Sequence, residues 1–260
     1  MQELHPVLYG FLASGAAALG TALGAALVFG IRELRPWTED ALLSGAAGIM
    51  LAASFYSLLQ PAVAMGRESY GAGLPALLAV AAGFGIGGLA LWTIHHFAPH
   101  EHFHTGAEGP PAPHLARLWL FVIAITLHNF PEGMAVGVAA AGGETSAGIA
   151  LTLGIGVQNI PEGLAVATSL LAAGYGRPAA AAIAVATGLV EPVGGLLGAS
   201  AAWLAAPLLP GILGFAAGAM VYIISDEIIP ETHRPGHETV ATFSLMVGVL
   251  LMLAFGVLLE

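Results

Sequence analysis

Two related hexapeptides place polar, ionisable and helix-breaking residues in the middle of apolar runs. His128-Asn129-Phe130-Pro131-Glu132-Gly133 lies inside one apolar run, and Gln158-Asn159-Ile160-Pro161-Glu162-Gly163 lies thirty residues later inside the next. Four of the six positions are identical, and both copies run on to an Ala-Val pair. On a helix His128 and Glu132 are four apart and Asn129 and Glu132 three apart, so all three share a face; Gln158, Asn159 and Glu162 repeat the arrangement. Eleven residues separate His128 from Arg117 at the start of its run, which puts the imidazole about 16 Å deep in a hydrocarbon core about 30 Å thick. A later apolar run adds Glu191, followed by Pro192. One imidazole, three carboxylates and three amides therefore stand at membrane depth, with no thiolate and no basic counterion. Carboxylates so placed repel one another or take up protons unless a cation neutralises them. Imidazole with carboxylate suits zinc and other first-row divalent ions better than calcium or magnesium. Ionisable groups in lipid are costly and mark function. The bland alternative is protonated carboxyls joining helices by hydrogen bonds. Pro131, Pro161 and Pro192 deprive the carbonyls of Leu127, Val157 and Gly188 of their helical partners. This predicts kinked helices whose open carbonyls line a cavity.

The elements that must position these groups are transmembrane helices. Only 8% of the 260 residues are charged and 57% are hydrophobic, against about 25% charged in a soluble domain. The apolar runs predict eight spans at 6–30, 40–60, 72–94, 117–141, 146–173, 178–203, 207–229 and 239–259, in one transmembrane domain covering 1–260. The first run lacks a positive leader and is expected to be retained. With no cysteine, disulfides and thiolate sites are excluded. With no lysine and six scattered arginines, a nucleic-acid partner is excluded too. Arg32, Arg35, Arg117, Arg177 and Arg234 follow odd-numbered spans, and only Arg67 follows an even one. By the positive-inside rule both termini are extracytoplasmic. The longest loop, 97–116, is too short for a nucleotide-hydrolysing domain, so any solute moves down its own or a coupled gradient. The Gly83-Phe84-Gly85-Ile86-Gly87-Gly88 stripe predicts a close helix contact, within the chain or between two copies.

The paired Asn-x-Pro-Glu-Gly strings, the histidine before the first and the Glu191-Pro192 pair resemble the ZIP (Zrt-, Irt-like protein) family in its bacterial GufA-like branch. The resemblance covers nearly the whole chain. It implies an all-α integral membrane fold of eight helices, arranged 3+2+3 with inverted repeats around kinked helices 4 and 5. It implies a multi-pass protein of the cell membrane that takes up divalent metal, chiefly Zn2+ and also Fe2+, Mn2+, Cd2+ or Co2+. It further implies a homodimer and an elevator-like motion of spans 1, 4, 5 and 6 past spans 2, 3, 7 and 8. By position, His128, Glu132, Gln158 and Glu162 would hold the transported ion. Asn129, Asn159, Glu162 and Glu191 would hold a second, with Glu162 bridging. Relatives carry His where Gln158 stands and Asp where Asn159 stands; the amides weaken the first site and remove a charge from the second. Ser57, in a stretch resembling the family's outer seal, is a candidate contact at the entrance.

Two outlying groups are candidate metal contacts on the cytoplasmic side. The 97–116 loop and its approach hold His95, His96, His100, His102, His104 and His114. The end of span 7 holds Asp226, Glu227, Glu231, His233 and His237, which reads as an exit funnel. For each, an ordinary solvated polar segment is the alternative. Three competing functions stay open: an intramembrane metallohydrolase, a metal-regulated scaffold, and efflux. The first lacks the His-Glu-x-x-His string that a zinc protease needs.

Overall fold

The computed structural model describes residues 5–30, 35–71, 73–97, 100–102, 106–108, 117–141, 145–172 and 174–259. Prolines and glycines set its helix ends. Helix α1 (Pro6–Ala26) opens on Pro6, whose missing N–H costs nothing in a first turn, and the His5 ring accepts a bond from the Val7 amide at 3.3 Å. Helix α2 (Pro36–Ala53) starts the same way and passes through a π turn, Ser54–Leu59, into α3 (Gln60–Tyr70). There Gly71, at a φ of 85° that side chains resist, stops it. Helices α4 (Leu74–Phe97), α5 (Arg117–Ala141) and α6 (Thr145–Ala172) follow. Helix α7 (Arg177–Gly188) breaks at Leu189, and α8 (Val190–Leu204) resumes with Pro192 in its first turn. Helix α9 (Leu209–Ile223) leads through a second π turn, Ile224–Ile228, into α10 (Ile229–Thr232), and α11 (Glu238–Leu259) ends the chain.

Among the described residues seven helical stretches are long and apolar enough to cross a membrane: Pro6–Phe29, Pro36–Tyr70, Leu74–Ile94, Gly148–Leu171, Arg177–Leu204, Leu209–Thr232 and Glu238–Leu258. The apolar pattern predicts eight; the 25-residue α5, which carries the first hexapeptide, is not among the seven. Pro131 and Pro161 sit inside α5 and α6 with helix on both sides, whereas the helix carrying Pro192 is interrupted. The π turns appear in neither the spacing nor the composition. Each precedes a proline, Pro61 or Pro230, and each is closed by a five-residue bond, from Gln60 N–H to the Phe55 carbonyl and from Ile229 N–H to the Ile224 carbonyl. The 97–116 loop is not wholly irregular either. Strand β1 (His100–His102) pairs antiparallel with β2 (Gly106–Glu108), His102 opposite Gly106, and β1 lies against α5.

The packing inverts that of a soluble protein. Alanine and glycine are prominent in the interior beside a few leucines such as Leu58 and Leu151, while many leucines point out, Leu204 being 74% and Leu258 80% exposed. Four helix pairs run along one another: α1 with α6, α5 with α8, α2 with α11 and α4 with α9. Glycines permit each approach. A Cβ on Gly20 or Gly24 of α1 would collide with the Gly156 or Ile160 carbonyl of α6, and one on Gly194 or Gly198 of α8 with the Phe130 or Met134 carbonyl of α5. Gly83 and Gly87 meet the Gly211 and Phe215 carbonyls of α9 in the same way, so this face of the glycine stripe is spent within the chain. Gly24→Val is expected to destabilise the protein by about 1–3 kcal/mol through overpacking. The check is a thermal melt in detergent beside Gly85→Ala, where an added Cβ meets nothing within 4 Å and little change is expected.

Contacts between distant turns fix which helix ends lie together. Arg234 before α11 binds Asp40 at the start of α2, and Trp119 at the start of α5 donates to the Tyr175 hydroxyl in the α6–α7 turn at 3.2 Å. At the other end the Tyr70 hydroxyl donates to the Pro207 carbonyl. Arg35, Arg117, Arg177 and Arg234 therefore share one end of the bundle, and Arg67 lies at the opposite end.

Candidate metal centre

The described polar side chains of both hexapeptides face the interior where α5, α6, α8 and α1 meet. Asn129, Glu132, Gln158, Asn159 and Glu191 are completely buried, and Glu162 nearly so. The glycine that ends each hexapeptide explains how the helices come so close. A side chain on Gly133 would strike the Glu191 carbonyl of α8, and one on Gly163 the Thr21 carbonyl of α1. The two copies thus make the equivalent contact with different partners, and each contact carries a polar side chain of the partner helix into the site.

The second copy is tied into a hydrogen-bonded chain. Gln158 Nε2 donates to Asn159 Oδ1 at 2.8 Å. Asn159 Nδ2 donates to both Glu191 oxygens at 3.0 Å and to the Ala17 carbonyl at 3.1 Å. The Thr21 hydroxyl donates to Glu191 Oε1 at 3.4 Å. Asn159 and Glu191, expected as ligands of a second ion, here satisfy each other. Other polar atoms are left open. Both polar atoms of the Asn129 amide and both Glu132 carboxylate oxygens in the first copy, with Gln158 Oε1 and Glu162 Oε2 in the second, are buried with no hydrogen-bond partner among the described residues. An unpaired buried polar atom costs about 1–3 kcal/mol, so six in one region call for water or an ion to satisfy them. All but the Asn129 amide nitrogen are oxygens, a donor set that a divalent transition ion accepts.

The other expected residues are dispersed. Ser57 is buried in the first π turn and lines a cavity of about 300 Å³ with Tyr56, Gln60, Ser146 and Met252, at the end of the bundle away from the four clustered arginines. His96 is exposed and stacks on Trp92, ring centroids 5.3 Å apart. The side chains of His95, His100, His102, His128 and Glu227, and all of His104 and His114, lie outside the described residues. Among the described residues no three His, Cys, Asp or Glu side chains stand together closely enough to hold a metal ion. Asp226 is exposed in the second π turn and Glu231 is half-buried. His233 Nδ1 contacts the Ile229 carbonyl at 3.0 Å, and its Nε2 faces the Thr242 hydroxyl at 3.4 Å.

Three participants escape a reading of the sequence. Ala17 and Thr21 stand in an unremarkable run of small residues, and nothing local marks either. The third is Asp40, only 2% exposed, which takes Arg234 through both carboxylate oxygens and His237 Nδ1 as well. His237 is therefore held in an ion-pair cluster that ties α2 to the α10–α11 turn. Asp40→Ala removes the shared partner of the Arg234 guanidinium and the His237 ring, both partly open to solvent. It is expected to cost about 2 kcal/mol, less than a fully buried pair, read as a lower unfolding temperature.

The profile described as ZIP zinc transporter matches residues 94–256. Zinc transporter ZIPB of Bordetella bronchiseptica is 47% identical over 94% of this chain and 79% of its own length. Zinc transporter GufA of Myxococcus xanthus is 45% identical over 94% and 96% of the two chains. Human zinc transporter ZIP11 is 34% identical over 91% and 93%. A match of this extent, on a chain of membrane-length helices built around the duplicated motif, makes this protein a member of the ZIP family, in its GufA-like branch.

Proposed function

We propose that the chain carries divalent transition-metal ions, zinc foremost, across the membrane through the site on α5, α6 and α8. The observation that carries the reading is the group of six unpartnered buried polar atoms on Asn129, Glu132, Gln158 and Glu162. The family is one of transporters, and the protein is not an enzyme. Iron, manganese, cadmium and cobalt offer divalent ions of the same charge, Fe2+ and Co2+ with the same borderline character, so they are expected to compete with zinc.

On this reading α5 is the eighth span, the termini face outward and the cell membrane is the site of action. His128, Glu132, Gln158 and Glu162 replace the water of a single incoming ion. Asn159 holds Glu191 in place by donating to it, where a second cation would otherwise be needed, so the resting site holds one ion. The ion enters past Ser57 through the cavity beneath Tyr56 and leaves toward Asp226, Glu227, Glu231 and His233, with the loop histidines as a receiving patch. The pairing of α1 with α6 mirrors that of α8 with α5, and α2 with α11 mirrors α9 with α4, each of α2 and α9 running into a π turn before a proline. That correspondence supports inverted repeats in a 3+2+3 order. In the proposed cycle α1, α5, α6, α7 and α8 move as one body past the remaining helices, in a homodimer.

The test is zinc flux into proteoliposomes loaded with a zinc-sensitive dye, measured with the gradient in each direction. Saturable flux that other divalent ions compete for is the expected result. Zinc binding without flux would replace the transporter by a metal-regulated scaffold.

A further inference from the structure

A second cavity, of about 720 Å³, is open to the outside of the bundle between α3 and α4. Its walls are apolar, from Phe55 and Leu59 through Val63 on one side to Val80 and Phe84 on the other, and Arg67 stands at one end. Among the described residues Arg67 is the only arginine at its end of the bundle, is exposed, and has no hydrogen bond or ion pair; the chain has no lysine. Glu68, beside it, does not line the groove. Twelve residues separate Phe55 from Arg67, about 18 Å along a helix. One leaflet of hydrocarbon is about 15 Å deep. The groove is thus as long as one leaflet, apolar along its length except at Gln60, and cationic where headgroups lie.

We propose that this groove holds one phospholipid with an anionic headgroup, its phosphate on Arg67 and an acyl chain along Val63, Leu59 and Phe55. A zwitterionic lipid would bring its own cation to the same place and gain less. The site also has a reach beyond itself. Gln60 and Ala64 line both this groove and the cavity that contains Ser57, so a lipid here braces the outer wall of that cavity.

The experiment is native mass spectrometry of the detergent-purified full chain, titrated with dioleoyl phosphatidylglycerol or dioleoyl phosphatidylcholine. The wild type is expected to retain one phosphatidylglycerol at about tenfold lower lipid concentration than phosphatidylcholine. Arg67→Gln is expected to erase that preference. Ala81→Trp, which fills the groove and spares the arginine, is expected to weaken retention of phosphatidylglycerol about tenfold. Each variant is first shown to bind zinc as the wild type does, which separates loss of the lipid site from loss of the fold. Equal retention of the two lipids by the wild type, or an unchanged preference in Arg67→Gln, would overturn the proposal. So would a dimer that persists after delipidation and is lost in Ala81→Trp, because a second copy would then be the occupant.

Discussion

Glu132→Gln and Glu162→Gln are each expected to reduce zinc flux into proteoliposomes by at least about 100-fold, while the purified proteins stay monodisperse and melt as the wild type does. The size follows from the loss of a charged ligand, since loss of a group that merely supports a ligand already costs about 10- to 100-fold. The fold should survive because Gln keeps the shape of the side chain and replaces a buried carboxyl that has no cationic partner among the described residues. Both Glu132 oxygens and Glu162 Oε2 lack a hydrogen bond among the described residues, so neither variant breaks one at those atoms. Flux above one tenth of the wild-type value in either variant would remove that glutamate from the transport site. Unfolding of the variants would instead assign the two carboxyls to interhelical adhesion.

The second large effect concerns how many ions bind. Asn159 donates to both oxygens of Glu191, which leaves that carboxylate already satisfied by the protein. Asn159→Asp puts a second carboxylate where the donor stood. Two carboxylates at hydrogen-bonding distance in a buried site repel strongly, and a divalent cation removes the repulsion while using all four oxygens. Bound zinc, measured by elemental analysis after equilibrium dialysis, is expected to rise from one ion per chain to two. The thermal stability of the variant should become metal-dependent, rising by several degrees with excess zinc. Two ions in the wild type, or one in the variant, would show that Asn159 does not stand in for a cation.

Much of this was legible along the chain because its causes are local. The charged fraction decides that lipid is the solvent. The apolar lengths decide where helices run, and α5 begins and ends at Arg117 and Ala141 where the pattern places it. The spacing of Asn129 and Glu132, and of Asn159 and Glu162, decides that each pair shares a helix face, and all four are buried. The π turns were not legible. A proline announces that a carbonyl loses its partner, but the bonds that replace it depend on what packs around the turn. So Pro61 and Pro230 follow π turns, while Pro131 and Pro161 sit within unbroken helices.

The sequence by itself therefore determined the solvent, the helices, the family and the two hexapeptides with their donor atoms. Tertiary structure decided the rest. It spent the Gly83 and Gly87 face on α9, placed Ala17 and Thr21 beside the site, bound Asn159 to Glu191 and tied His237 to Asp40. The reason is distance along the chain. Thr21 and Glu191 are 170 residues apart and Asp40 and Arg234 are 194 apart, so neither pair leaves a trace in local spacing. A serine, threonine or aspartate reads the same in sequence whether or not a distant helix brings it a partner.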